Sequence, residues 1–187
     1  MEIKTVYFEQ LGKENTNAVF EIVNGRAKEL GIKTVVIAST TGETAVQAVN
    51  SLKGLKVIAV GHRMGQRAPN VQAFTPENKA IIESKGGVVF NGMHLFSGLS
   101  GAMAKKFNMH IIGDIIANTL RMFGSGMKVV CEISCGAADA GLIRTDEDVI
   151  VIGGTSSGAD TAVVMRPVNS QDFFDMKIKE ILCKPHF

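Results

Sequence analysis

Two apolar runs in this chain end in nearly the same short phrase, and that repetition limits the possible folds more than any other feature. Val35-Val36-Ile37-Ala38 leads into Ser39-Thr40-Thr41-Gly42-Glu43-Thr44-Ala45. Val149-Ile150-Val151-Ile152-Gly153-Gly154 leads into Thr155-Ser156-Ser157-Gly158-Ala159-Asp160-Thr161-Ala162, 116 residues further on. Each run is short, rich in β-branched residues and free of charge, the pattern of a strand buried on both faces. Each phrase supplies hydroxyl donors, a glycine that admits close approach of the main chain, an acid and a final Thr-Ala. Placed before a helix start, such a phrase leaves N–H groups free to hold an anion. Two such loops at strand ends predict one binding crevice with two walls.

The rest of the chain supplies the elements for that arrangement. Strands are expected over 3–8, 33–38, 55–60, 88–90, 149–152 and 161–165, the last of these ahead of Pro167. Helices are expected from about 15 to 30 with Asn15 or Thr16 as N-cap, from Gly42 or Glu43 to Leu52, over 76–85 with Pro76 in the first turn, and over 109–123. Residues 92–108 read as a glycine-punctuated loop around His94, Phe96 and Ser97. The stretch 128–143 reads both as strand, at Val129-Val130-Cys131, and as helix, through Val130, Ile133, Ala137 and Ala140; Gly141 as a C-cap favours helix. Residues 171–186 hold a short helix or strand. Strands alternating with helices predict a doubly wound, three-layer α/β/α domain with a mainly parallel sheet, one domain over 1–187. In such sheets ligands lie beyond the carboxyl ends of the strands.

Bulk properties narrow the function. The formal net charge of +2 argues against nucleic acid or an anionic membrane surface as partner, and zero Trp with one Tyr argues against a base-stacking platform. No apolar run approaches a membrane span, and Met1 to Thr5 carry no signal-like apolar region. Three cysteines, odd and sparse, fit a reducing cytoplasm. Cys131 and Cys135 at i and i+4 read as small core residues, since no second ligand pair offers zinc spacing. A high apolar content with few aromatics is compatible with a homo-oligomer of unread size.

At these residues the sequence resembles the C-terminal domain of pyruvate kinase, in which a strand ending in Thr-x-Ser-Gly-x-Thr/Ser-Ala binds the phosphate of an allosteric sugar phosphate. Thr40, Thr41, Gly42, Thr44 and Ala45 match that motif with Thr41 at the serine position, and Gly158 and Thr161 resemble the second, glycine-rich loop. The likeness covers about residues 15 to 166, with a longer helical insertion around 92–145, and leaves no room for the enzyme's barrel. The whole chain is similar to the stand-alone pyruvate kinase C-terminal-like family of archaea and bacteria. Tyr7-Phe8-Glu9, Gly12-Lys13-Glu14-Asn15-Thr16, Ala38 to Gly42, Ala137 to Gly141, Gly153 to Thr155 and Gly158 to Ala162 carry this. That resemblance implies a flavin mononucleotide (FMN) site in the crevice and supplies no reaction.

The candidate site residues follow. Ser39, Thr40, Thr41, Gly42, Glu43 and Thr44 are expected to cradle the phosphate, though Ser and Thr serve equally as turn and cap residues and the Glu43 carboxylate repels a phosphate. Gly154, Thr155, Ser156, Ser157, Gly158, Ala159, Asp160 and Thr161 are expected to form the opposite wall, with Asp160 accepting from a ribityl hydroxyl or a ring N–H. The competing reading is a tight connection that Asp160 merely caps. His62 and Arg63 follow a core strand on the same edge, where Arg63 would pair with phosphate or stack on a ring and His62 would donate to a carbonyl. A solvated pair explains them as well. His94 is open between pocket residue and loop histidine, and Asn15 is a secondary candidate at a helix start. Lys56 and Arg67 read as surface charge. Asp139, among alanines, reads equally as a structural hydrogen-bond acceptor. The rival to the flavin reading is a sugar-phosphate- or nucleotide-binding regulatory module without turnover.

Overall fold

The computed structural model describes residues 2–186. Its elements are β1 (Val6–Phe8), a 3-10 turn (Gly12–Asn15), α1 (Thr16–Leu30), β2 (Thr34–Ala38), α2 (Glu43–Ser51), β3 (Lys56–Gly61), α3 (Pro76–Ser84), β4 (Val88–Asn91), α4 (Gly98–Phe107), α5 (Ile112–Arg121), α6 (Ser125–Asp139), β5 (Val149–Gly153), β6 (Thr161–Arg166), a second 3-10 turn (Ser170–Asp175) and β7 (Lys177–Pro185). The strands form one sheet in the order β1-β7-β6-β5-β2-β3-β4. β2 pairs parallel with both β3 and β5, β3 with β4, and β1 with β7; β6 is antiparallel to both its neighbours. Only β6 runs against the rest.

Strand alternation divides the core in two. Val35, Ile37, Val57, Ala59, Ile150 and Ile152 face α1 and α2, while Val36, Ile58, Val60, Val149 and Val151 face α6. Strands apolar on both faces need cover on both, and this is why the central runs carry no charge. Burial of Val35, Val36, Ile37, Ile150, Val151 and Ile152 is complete. At about 1.5–3 kcal/mol for each such side chain, this stack dominates the stability of the sheet centre. Gly31 at φ +69° ends α1 in the left-handed conformation that a Cβ disfavours.

The expected α/β layering holds, and the differences are local. The strand expected over 3–8 is confined to Val6–Phe8. The segment expected to be a loop over 92–108 contains α4, whose Gly98 and Gly101 masked the helical spacing of Leu99, Met103 and Phe107; Leu99 and Phe107 are exposed. Helix α5 is shorter than expected, opening only at Ile112, where the Asp114 carboxylate accepts the Ile111 N–H at 3.2 Å. The ambiguous stretch is helix, α6, starting at Ser125. Residues 161–165 are not the last strand: β7 follows and inserts between β1 and β6. Among the described residues, no helix is long and apolar enough to cross a membrane.

Candidate functional site: a two-lobed crevice

Because β2 and β5 are adjacent and parallel, with Ile37 beside Ile152, their carboxyl ends deliver both hydroxyl-glycine loops to one place. A crevice of about 480 Å³ lies between them, lined by Ser39, Thr40, Thr41, Glu43 and Thr44 on one side and by Gly154, Ser156, Ser157 and Gly158 on the other. A second lobe of about 320 Å³ continues from Ala38, Ser39, Thr40, His62 and Val129 toward His94, Lys128 and Glu132. The two are called here the hydroxyl lobe and the imidazole lobe.

The first loop is held from behind. Ser39 Oγ accepts the Ala45 N–H at 3.3 Å, so this hydroxyl caps α2, and Asn78 Nδ2 donates to the Thr41 carbonyl at 3.0 Å. Gly42 sits at φ +98°, and a Cβ there would lie 2.5 Å from Asn78 Cβ and 2.8 Å from a Phe74 ring carbon. Its missing side chain therefore makes room for α3 and Phe74. This corrects the expectation that Gly42 leaves space in a phosphate cradle; it does not line the crevice.

The second loop departs further from expectation. It joins β5 to β6 as a hairpin, with the Asp160 N–H bonded to the Gly153 carbonyl at 3.2 Å, so no helix follows it. The helix start beside it belongs instead to α1, from the other end of the chain. A Cβ on Gly12 would lie 2.7 Å from the Thr155 carbonyl oxygen, and one on Gly158 would run into Lys13. Thr16 Oγ1 accepts the Ala159 N–H at 3.1 Å. Asp160 is fully buried; it accepts from the Gly12 N–H at 2.9 Å, the Thr155 N–H at 3.0 Å and the Thr161 hydroxyl at 2.8 Å. Asp160 thus pins the loop to the α1 start and does not face the crevice, a correction that extends to Thr155, Ala159 and Thr161, which do not line it. Asn15 is also turned away, donating to the Gln10 carbonyl at 2.8 Å. Ser156 adopts φ +65° and Ser157 N–H bonds to the Thr155 carbonyl at 2.8 Å. For a serine that conformation stores strain, and alternating turn conformations of this kind point N–H groups into a concavity.

Between the lobes stands His62. Its Nε2 lies 3.4 Å from Thr40 Oγ1, and its Nδ1 is buried with no hydrogen-bond partner, as are Arg63 Nη1 and Thr155 Oγ1. His94 packs edge-to-face on His62, ring centroids 4.9 Å apart, and its Nδ1 lies 3.2 Å from Ser97 Oγ. Burial lowers the pKa of both imidazoles, Arg67 and Arg63 add to the effect at His62, and Glu132 opposes it. Arg63 itself does not line either lobe; Arg67, four residues on, does. The reading of Arg67 as surface charge agrees with its exposure, and that surface includes the crevice wall.

Sequence reasoning missed the floor of the imidazole lobe. Lys128 and Glu132, one turn apart on α6, form a buried ion pair, with Glu132 also accepting the Phe96 N–H at 3.1 Å and the Lys128 ammonium 5.5 Å from the Phe96 ring centroid. The available signal was a Lys-x-x-x-Glu pair inside an otherwise apolar or small-residue helix. Cys131, Cys135 and Cys183 are buried thiols that desolvation pushes up to about 12. Among the described residues no cluster of His, Cys, Asp or Glu could hold a metal ion. Asp139 accepts the Ser170 N–H and an Asn169 amide N–H, both at 3.0 Å, which is the structural role.

Solved structures that the chain matches include two of a pyruvate kinase from Cryptosporidium parvum. One aligns with TM-score 0.40 and 15% identity over 80% of this chain and 22% of that one. The other gives 0.38 and 14% over 82% and 22%. The chain spans less than a quarter of the length of these enzymes. The model of the pyruvate kinase alpha/beta domain matches residues 17–165, from α1 through β6, and the chain belongs to that family.

Proposed function

We propose that the crevice binds flavin mononucleotide without a covalent bond. The observation that carries the reading is the pairing of β2 with β5, which sets two hydroxyl-rich loops across one cleft of about 480 Å³. The phosphate would rest at Thr40, Thr41, Thr44 and the α2 N-terminus, where the helix dipole favours negative charge and Arg67 adds a cation. Glu43 lines the same lobe and opposes a phosphate beside it, so it is the residue that must stay turned outward. The ribityl chain and ring would run toward Gly154 and Ser156 to Gly158. His62 Nδ1, buried and unpartnered, fits a ring carbonyl or N–H better than it fits solvent. When bound, the cofactor supplies hydride and single-electron chemistry. The protein's part is to orient the ring, to exclude water with Val129, and to present neutral imidazole at the seam between lobes.

The test is the visible absorbance spectrum of freshly purified protein, followed by mass spectrometry of the heat-released ligand. Flavin bands with the mass of flavin mononucleotide support the reading. A colourless protein that takes up no added flavin mononucleotide overturns it. A second reading, a sugar-phosphate- or nucleotide-binding regulatory module without turnover, is favoured by one feature: among the described residues, no phenyl or phenol ring lines the hydroxyl lobe. Saturable binding of a sugar phosphate by a flavin-free protein would decide for it. The three unpaired, buried thiols agree with a reducing compartment such as the cytoplasm.

A further inference from the structure

We propose that the imidazole lobe is a separate binding site for a small carboxylate, held by the Lys128 ammonium and flanked by His62 and His94. Lys128 is only 8% exposed, yet its ammonium carries three N–H donors and gives one hydrogen bond, to Glu132. A buried donor without an acceptor costs stability that a packed apolar residue at this position would not. Lys128 lines a lobe of about 320 Å³ together with His62, whose Nδ1 is buried and unpartnered.

Charge selects the ligand class. Lys128 and Arg121 line the lobe against one carboxylate, Glu132, while Arg121 is bonded to Asn118 Oδ1 at 3.0 Å and keeps its charge. Around the imidazoles the charged neighbours are Arg63, Arg67, Lys128 and Glu132, again with cations in excess. An anion balances that excess. Beside the polar Ser39, Thr40, Gln66 and Ser97 the lobe presents an apolar stretch, Val60, Phe90, Met93 and Ile133, and this stretch suits a carboxylate with a short hydrocarbon tail over an inorganic anion. The inference concerns the adjoining lobe, which shares His62 with the flavin reading, and it does not rest on that reading. If both hold, the carboxylate is that of the substrate, entering beside His62.

The test follows the imidazole Cε1–H resonances of His62 and His94 by NMR in the full-length chain. They are assigned with His62→Gln and His94→Gln, and sodium butyrate is titrated at constant ionic strength. Saturable shifts of both rings are expected, and saturating butyrate should raise both histidine pKa values by about half a pH unit or more, because an adjacent anion favours imidazolium. Glu132→Gln frees the ammonium and should tighten butyrate about threefold or more. The double change Lys128→Met with Glu132→Gln, which leaves no unpaired carboxylate, should weaken it about tenfold or more. Non-saturating shifts, an unchanged affinity in the double variant, or inorganic phosphate binding the lobe as well as butyrate would each overturn the assignment. Should the double variant not fold, weaker or unchanged binding in Glu132→Gln overturns it alone. The visible spectrum reports on flavin independently, so failure of either reading is recognised separately.

Discussion

Replacing Asp160 by alanine should unfold the join between the two ends of the chain, and asparagine at the same position should largely preserve it. The carboxylate is fully buried and takes three hydrogen bonds, from the Gly12 N–H, the Thr155 N–H and the Thr161 hydroxyl. Alanine leaves two backbone donors without an acceptor, each costing about 1–3 kcal/mol, while the hydroxyl can turn elsewhere and the burial of a carboxylate is relieved. The balance is about 3 kcal/mol, and for a domain of this size each kcal/mol lowers Tm by roughly 2–4 °C, giving a drop of about 6–12 °C. Both backbone donors share one carboxylate oxygen, Oδ2. Asparagine can place its carbonyl oxygen there and donate its amide to the Thr161 hydroxyl, so it loses charge assistance alone, about 1 kcal/mol. Urea unfolding followed by circular dichroism measures both, with an unchanged slope required for the comparison. A cost for alanine within about 0.5 kcal/mol of wild type, or equal costs for the two variants, would refute the pinning role. Loss of FMN affinity with stability intact would return Asp160 to the ligand.

The other predictions concern glycines, hydroxyl-lobe charge, thiols and pH. Gly42→Val should lower stability by about 2 kcal/mol or more through φ strain and collision with Phe74 and Asn78, so it reports on packing in a thermal melt and not on a filled cradle. Arg67→Ala should weaken FMN more than riboflavin in fluorescence titrations, and equal losses would take Arg67 off the phosphate. All three thiols, held near 12, should resist an aromatic disulfide reagent in the native protein and react together in urea; one fast thiol in the native state would contradict their burial. Burial lowers the His62 and His94 pKa values below the ordinary imidazole value of about 6.5, so the unfolded chain binds protons more readily. Their contribution to stability is complete above that value and is lost as the pH falls through the folded pKa values, and His62→Gln should flatten that limb of a stability-against-pH curve. Asp148 acts at lower pH. Burial works to raise its pKa, but hydrogen bonds from Lys179 and Arg166 win, so its contribution is lost as the pH falls below the normal carboxylate range. Asp148→Asn should remove that loss.

Much of the architecture was legible because periodicity is a local property. Val35 to Ala38 and Val149 to Ile152 read as buried strands, glycines marked their ends, and both loops lie at the carboxyl edge. Of the residues singled out, Ser39, Thr40, Thr41, Glu43, Thr44, Gly154, Ser156, Ser157 and Gly158 line the hydroxyl lobe, and His62 and His94 line the imidazole lobe. Helix α4 was not legible, since Gly98 and Gly101 in its first turn read as loop punctuation despite Leu99, Met103 and Phe107 at helical spacing. The short helix or strand expected within 171–186 is strand β7, whose type stayed open because its first three residues are exposed and its apolar part is short.

What the sequence by itself determined is the core strands and most of the helices, the two hydroxyl-glycine phrases and the small net charge. Only the tertiary structure decided that β2 and β5 are neighbours, that Asp160 reaches Gly12 across 148 positions, that His62 stacks on His94, and that Lys128 and Glu132 turn into a cleft. The physical reason is one of range. Helix and strand follow from side-chain spacing within a few residues, whereas strand order and the burial of a polar group depend on which distant surfaces exclude water together.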